Sequence, residues 1–432
     1  MKFQEFNLHP KVAAGVDAEG YTTPTPIQAQ GIPSVMAGQD VMGLAQTGTG
    51  KTAAFALPIL HRLMQGKRGQ VRALIVAPTR ELAEQIHVAI SHLGKQTGLR
   101  SVTIYGGVNI NPQKNKLKSG VEIVVACPGR LLDHINQGTI DLSKVEVLVL
   151  DEADQMFDMG FFPDIRRILG HLPKQRQNLL FSATMPPQIR KLAAEVLNQP
   201  DTIQVDTVAP ATTVKHALYP VAQHLKTALL LQLLRHTSTE SVLVFTRTKH
   251  RAKRLWLQLE KACYKSASLQ GNLSQNRRQE ALDGFRDGRF QILVATDIAA
   301  RGIDVSQISH VVNYDIPNTP ETYIHRIGRT GRAARTGDAF TLVSDDEKGL
   351  VKAIEKLFGS TIERRTIDGF NYHEAAPPKQ PQKPRTSKPK KVTQAKPAPP
   401  VASSKPRRPR RSRRPAAGKT SGGGVVTSAG RS

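Results

Sequence analysis

The stretch Ala45-Gln46-Thr47-Gly48-Thr49-Gly50-Lys51-Thr52 follows a short apolar strand, Asp40 to Leu44, and leads into a helical pattern from Ala53 to Leu63. Strand, glycine-rich turn and helix in that order make a phosphate-gripping loop, and this restricts the fold more than any other segment. The strand must be buried so that the turn emerges at a sheet edge. The helix must aim its N-terminus at the same point. Gly48 and Gly50 let the backbone turn its N–H groups inward, Lys51 reaches the β- and γ-phosphates, and Thr52 ligates Mg2+. The general pattern opens on Gly where Ala45 stands, at its less demanding end. Taken alone, the segment is also compatible with a Gly/Thr-rich strand–helix turn.

The surroundings agree with an α/β fold. Apolar runs at Ala73–Ala77, Glu122–Ala126, Val145–Leu150 and Leu179–Ser182 carry Val, Ile and Leu on both faces. Such strands belong to parallel sheets covered by helices. A second series follows at Val242–Phe245, Ile292–Ala295, His310–Asn313 and Phe340–Val343. A chain of 432 residues exceeds what one core supports, so two folded domains are expected. We place the first at 1–205, a linker at 206–211 and the second at 212–368, two copies of one architecture with parallel sheets flanked by helices. The Pro200 and Pro210 region marks the boundary, with an edge strand inside it.

Residues 369–432 are assigned to a disordered tail. They lack apolar periodicity and cannot offset ordering entropy. From Asn371 onward there are sixteen Lys or Arg and one acid, Glu374, so +15 of the net +26 lies there and +11 on the rest. A basic excess on this scale favours polyanions, nucleic acid or an anionic membrane surface. The bland alternative is a solubilising tail, and Pro-rich basic tails also bind protein partners. The two cysteines, Cys127 and Cys263, are too far apart to form a metal clip, and a reducing cytoplasm suits them. No run approaches the ~18 apolar residues of a membrane span, and no signal peptide is visible. A cytoplasmic monomer is expected.

Val145 to Leu150 ends in Asp151-Glu152-Ala153-Asp154. Carboxylates at the C-terminal end of a buried parallel strand emerge at the ligand edge. Asp151 is placed to hold Mg2+, largely through water, and Glu152 is the natural general base for an attacking water. Asp154 also suits a helix N-cap. The second series has no phosphate loop. It offers His325-Arg326-Ile327-Gly328-Arg329-Thr330-Gly331-Arg332, whose three arginines lie at intervals of three. These suit arginine fingers completing one ATP site, or else a patch for RNA.

Together these residues resemble the DEAD-box RNA helicases, over about residues 1–345. Gly20 to Gln28 is similar to the Q motif, which implies that Gln28 reads the adenine edge and Tyr21 stacks on the base, with Phe6 as the upstream aromatic. Pro78 to Ala83 and Gly106-Gly107 resemble motifs that hold RNA phosphates. Ser182-Ala183-Thr184 resembles the motif linking hydrolysis to unwinding, with Asp154 and His325 in the same coupling role. Val244 to Thr248, Ala295 to Asp304 and His325 to Arg332 resemble motifs IV, V and VI. The resemblance implies tandem RecA-like domains, ATP and Mg2+ as cofactors and RNA as partner. By it Gly302 and Asp304 contact the nucleotide, Arg329 and Arg332 reach the γ-phosphate, and RNA lies on Thr79, Arg80, Gly107, Arg130, Thr248, Gly271 and Thr296.

Two departures stand out. Cys127 occupies a position where the family usually has Thr, and Gln270-Gly271-Asn272 stands where it often has His-Gly. The opening Met1 to Phe6, Arg301 to Val305 and the basic tail resemble the bacterial RhlE-like branch. The expected activity is RNA-stimulated ATP hydrolysis that separates short duplexes or remodels RNA–protein complexes. The same motifs serve an ATP-gated clamp or chaperone, and a DNA-directed translocase shares the two-domain plan. No residue here names the physiological RNA.

Overall fold

The computed structural model describes residues 1–45, 48–205, 214–237, 240–300, 308–331 and 337–375. Gln46, Thr47, Gly302, Asp304, Arg332, the assigned linker 206–211 and the basic segment from 376 lie outside them. Residues 1–376 form one compact unit.

The chain builds two seven-stranded sheets, each entirely parallel. The first contains β1 (Val41–Leu44), β2 (Ala73–Val76), β3 (Ser101–Ile104), β4 (Ile123–Ala126), β5 (Val147–Leu150), β6 (Gln177–Ser182) and β7 (Asp201–Gln204), ordered β3-β4-β2-β5-β6-β1-β7. The second contains β8 (Val214–Pro220), β9 (Val242–Phe245), β10 (Ser266–Leu269), β11 (Ile292–Ala295), β12 (His310–Asn313), β13 (Gly337–Val343) and β14 (Glu363–Arg364), ordered β10-β11-β9-β12-β13-β8-β14. Counting β8 as the first strand of its sheet, the two orders are identical. The expected duplication is present at the level of topology.

Every residue of β2, β4, β5, β9, β11 and β12 is buried, as strands covered by helices on both faces must be. Each sheet has one apolar core per face. Of the edge strands, β7 and β14 are mostly exposed, whereas β10 is buried. Because all strands point the same way, their C-terminal ends collect at one edge of each sheet. Ala45, Thr79, Cys127, Asp151 and Ser182 lie at that edge of the first sheet, and Thr246 and Thr296 at that of the second. Among the described residues, no helix is long and apolar enough to cross a membrane.

One boundary differs from expectation. Residues 369–374, assigned to the tail, are held against the second sheet. Phe370 and Tyr372 pack on its core with Ile367, their rings 4.8 Å apart, and His224 Nε2 meets the Glu374 carbonyl at 2.8 Å. Phe370 and Tyr372, packed beside Ile367, fasten this segment although its composition is polar.

Candidate nucleotide and RNA site

The phosphate loop has the backbone that its glycines predict. Gly48 and Gly50 lie at φ 88° and 92°, where a side chain would be strained, and Gly50 caps the helix Lys51–Leu63. That helix begins two residues earlier than its apolar pattern suggests, so Lys51 and Thr52 occupy its first turn. Lys51 is buried, and its Nζ donates to the Ala45 carbonyl at 2.9 Å. The loop is therefore closed on its own lysine.

Gln28 is buried and fastened to this loop. Its Oε1 accepts from Thr25 N at 2.9 Å, and its Nε2 donates to the Gly50 carbonyl at 3.1 Å. A Cβ on Gly50 would lie 2.4 Å from Gln28 Nε2, so the two positions are matched in shape. Phe6 is buried edge-on to Phe3, which in turn lies 5.7 Å from the half-buried Tyr21.

Asp151 and Glu152 are each only 2% exposed. Burial raises the Asp151 carboxyl to about 6; Lys51 opposes that rise and Glu152 adds to it. Glu152 sits at φ 53°, a left-handed conformation that costs a non-glycine residue about 1–2 kcal/mol and aims the side chain off the strand end. Asp154 accepts on Oδ2 from both Thr184 N and Thr184 Oγ1 at 3.0 Å, and its own N–H donates to Ser182 Oγ at 3.2 Å. Ser182 and Thr184 are thus bonded directly to the acidic motif. His325, on the helix Pro320–Ile327 of the second domain, faces it. Burial lowers its pKa and keeps it neutral, while Asp154 and Glu152 pull the other way.

The arginine series divides. Arg326 has the spacing that suits a finger cation, and the structure assigns it elsewhere. It is 2% exposed, binds Asp297 through Nε at 2.6 Å and Nη2 at 2.8 Å, and donates from Nη1 to Asn313 Oδ1 and the Asp315 carbonyl. Its guanidinium also lies 4.9 Å from the Phe245 ring centre. Arg326 is a structural anchor. Arg329, three residues on, bonds the His325 carbonyl through Nε at 3.2 Å and lines a small pocket beside Gln155 of the acidic motif's helix, Ala153–Asp158.

A groove of about 530 Å³ runs between the two sheets. Thr79, Arg80, Gly106 and Arg130 line it from the first domain, and Gly271 and Thr296 from the second. Thr79 and Thr248 are N-caps at corresponding places, after β2 and β9, accepting from Leu82 N and Arg251 N. Arg247 and Lys249, flanking Thr248, line the groove themselves. Gly107, at φ 75°, packs against the Arg80 guanidinium. Arg130 donates twice to the Val108 carbonyl, at 3.2 and 3.1 Å. Cys127 is buried at the groove wall, caps the helix Pro128–Asn136 without a side-chain bond, and keeps its thiol protonated because burial lifts its pKa to about 12.

Sequence reasoning missed the contact that joins the domains here. Arg278 bonds Glu81 at 2.8 Å with side chains 12% and 4% exposed, and Arg80 Nη1 donates to Gln275 Oε1 at 3.2 Å. The available signal was Gln275 and Arg278, spaced by three in the first turn of the helix Gln275–Arg286. It also missed Glu347, whose Oε1 lies 3.0 Å from Arg247 Nη2.

Comparison with known proteins fits this layout. Residues 25–192 match the model for the DEAD/DEAH box helicase and residues 225–334 that for the helicase conserved C-terminal domain. The ATP-dependent RNA helicase CshA of Listeria monocytogenes is 45% identical over 356 residues, covering 82% of this chain and 68% of that protein. The chain belongs to the DEAD-box RNA helicases. It is an ATP-dependent RNA helicase with ATPase activity. CshA of Geobacillus kaustophilus is 44% identical, covering 84% of this chain and 78% of the relative. DeaD of Mycobacterium tuberculosis is 46% identical, covering 83% and 64%. Saccharomyces cerevisiae Dbp5 bound to RNA and ADP BeF3 superposes with a TM-score of 0.75 at 32% identity, covering 84% of this chain and 95% of that one. Two tandem RecA-like domains are thus the architecture of this DEAD-box chain.

Proposed function

We propose that one ATP sits on the phosphate loop of the first domain, is completed by Arg329 and Arg332 of the second, and governs RNA held in the groove between them. The observation that carries this is the groove lined from both domains beside the Arg278–Glu81 ion pair. RNA bound there reinforces closure, and closure brings Arg329 toward the nucleotide, so ATP and RNA favour one another reciprocally. Thr79, Arg80, Gly107, Arg130, Thr248, Gly271 and Thr296 would grip phosphate and sugar, which gives hold without sequence readout. Dbp5, bound to RNA and ADP BeF3 in a similar structure, supports the assignment.

Within the nucleotide site, Lys51 exchanges the Ala45 carbonyl for phosphate oxygens. Gln28 already spans Thr25 and Gly50, so adenine binding at its remaining amide hydrogen would be felt by the loop. Phe6 acts by supporting Phe3 and thus Tyr21. Thr52 and Asp151 would hold Mg2+ largely through water, and the ion would neutralise phosphate charge when bound. Glu152 takes the proton of the attacking water. Asp154, Ser182, Thr184 and His325 carry the change at the acidic motif to the domain boundary.

A first domain over 1–205, a second that runs from 212 to about 374, a monomeric state and a cytoplasmic location accompany this reading. So does the basic tail as an RNA tether. The finer RhlE-like placement rests on Met1 to Phe6, Arg301 to Val305 and the tail; the relatives above carry the CshA and DeaD names. The test is Glu152→Gln assayed for ATP binding, RNA binding, turnover and short-duplex separation. Retained binding with lost turnover is expected. Normal turnover removes Glu152 as the base, and a wild-type chain that binds RNA under ATP without separating duplexes is a clamp.

A further inference from the structure

A second groove, of about 720 Å³, lies on the second domain next to the RNA groove. It wraps the free edge of β10, the outermost strand of its sheet, between the helices Lys249–Lys261 and Gln275–Arg286. The carbonyls of Lys265 and Leu269 face β11, accepting from Ile292 N and Thr296 N. Strand alternation therefore turns the backbone groups of Ser266 and Ser268 outward, to the open edge. Trp256 Nε1 covers the Ser266 carbonyl at 3.1 Å. Ser266 and Ser268 belong to the groove wall, 5% and 8% exposed, and their hydroxyl oxygens are buried with no hydrogen-bond partner among the described residues. Buried hydroxyls left unsatisfied are costly, so this wall is not optimised for packing alone.

The charges in the groove are sorted along its length. Each helix runs opposite to β10. Lys253 therefore sits near the C-terminal end of the strand, as the Lys249–Asn272 bond of 3.0 Å on the preceding turn requires, and Arg277 starts the next helix at the same end. Glu260 and Glu280 lie further along each helix, toward the other end. The cationic end adjoins the RNA groove: Leu273 lines both cavities, and Gly271 lines the first while Asn272 lines the second.

We propose that this groove is an exit subsite for the RNA strand as it leaves the space between the domains. It places a phosphate between Lys253 and Arg277 and a base against Trp256. The acids beyond end the track and favour the amino edges of bases over a further phosphate. This rests on RNA occupying the interdomain groove. An extended peptide pairing with β10 is the other chemistry the edge could accept; the shared wall and the cations at that end favour RNA.

The test measures binding of the full chain to oligouridylates of about 6 and about 12 nucleotides, at several salt concentrations. Trp256→Ala is expected to weaken the longer RNA roughly fivefold and leave the shorter one unchanged, with Trp256→Phe restoring much of the loss. Lys253→Ala and Arg277→Ala should each reduce the salt slope for the longer RNA, and the double variant by about 0.7, as loss of one single-strand phosphate contact requires. Because the basic tail is present throughout, its contribution cancels. Equal loss at both lengths, or no loss in any variant, overturns the exit subsite, and the latter leaves the edge to a peptide. If wild type itself fails to bind the shorter RNA, the groove assignment fails instead. Melting temperatures separate a misfolded Trp256→Ala from a binding defect, and in that case the Lys253 and Arg277 variants decide.

Discussion

Replacing Asp151 with Asn removes a charge that the fold resists. The carboxyl is 2% exposed, and its pKa rises from 3.8 to about 6 chiefly because burial disfavours the charged form, with Lys51 only partly compensating. A folded-state pKa above the unfolded one means that the native state binds more protons between the two values. Stability therefore falls as pH rises from about 4 to 6 and stays reduced above that. At about 1.4 kcal/mol per unit, the shift corresponds to about 3 kcal/mol at pH 7. Asn is nearly isosteric and can still accept the Glu152 N–H that now meets Asp151 Oδ1 at 3.0 Å. Asp151→Asn should thus raise the melting temperature of the nucleotide-free first domain at pH 7, by about 6 °C or more, while abolishing ATP hydrolysis. The gain should shrink to near zero at pH 4. Thermal melts across that range, without nucleotide, read it directly. A variant destabilised at pH 7, or stabilised equally at pH 4 and 7, would refute the claim that a buried charge is the cost carried by this site.

Other outcomes follow from the same geometry. Lys51→Ala should lose ATP binding and free the Ala45 carbonyl, checked by nucleotide titration. Glu81→Gln leaves Arg278 facing a neutral partner in a largely buried pair, a change costing up to about 3 kcal/mol; it should weaken ATP–RNA coupling while each domain melts normally, and a variant with unaltered coupling removes that pair as a latch. Cys127→Thr supplies a hydroxyl at the groove wall and should tighten RNA binding by a few-fold without altering ATP affinity, as measured by equilibrium binding. Deleting 377–432 should lower RNA affinity at low salt and leave basal ATPase intact; unchanged affinity would rule out a tethering role.

The nucleotide half of the site was legible because its chemistry is local. A phosphate loop and a strand-end carboxylate pair need only neighbouring residues in order, and Gly48, Gly50 and Lys51 take the conformations their spacing implies. Strands buried on both faces were equally plain, since Val, Ile and Leu runs announce them. β10 was not, because Ser266-Ala267-Ser268-Leu269 lacks that composition and owes its place to pairing with β11. Arg326 and Arg329 look alike in sequence, yet one is spent on Asp297 and Asn313 and the other lies beside the acidic motif's helix. Glu81 and Arg278 are 197 positions apart. The sequence by itself determined the glycine turn after the first strand and which apolar strands are buried on both faces. Only tertiary structure decided which arginine is spent on anchoring the fold, which residues pair across the domains and that a second groove lies next to the first, because those outcomes depend on burial and on distances between elements far apart in the chain.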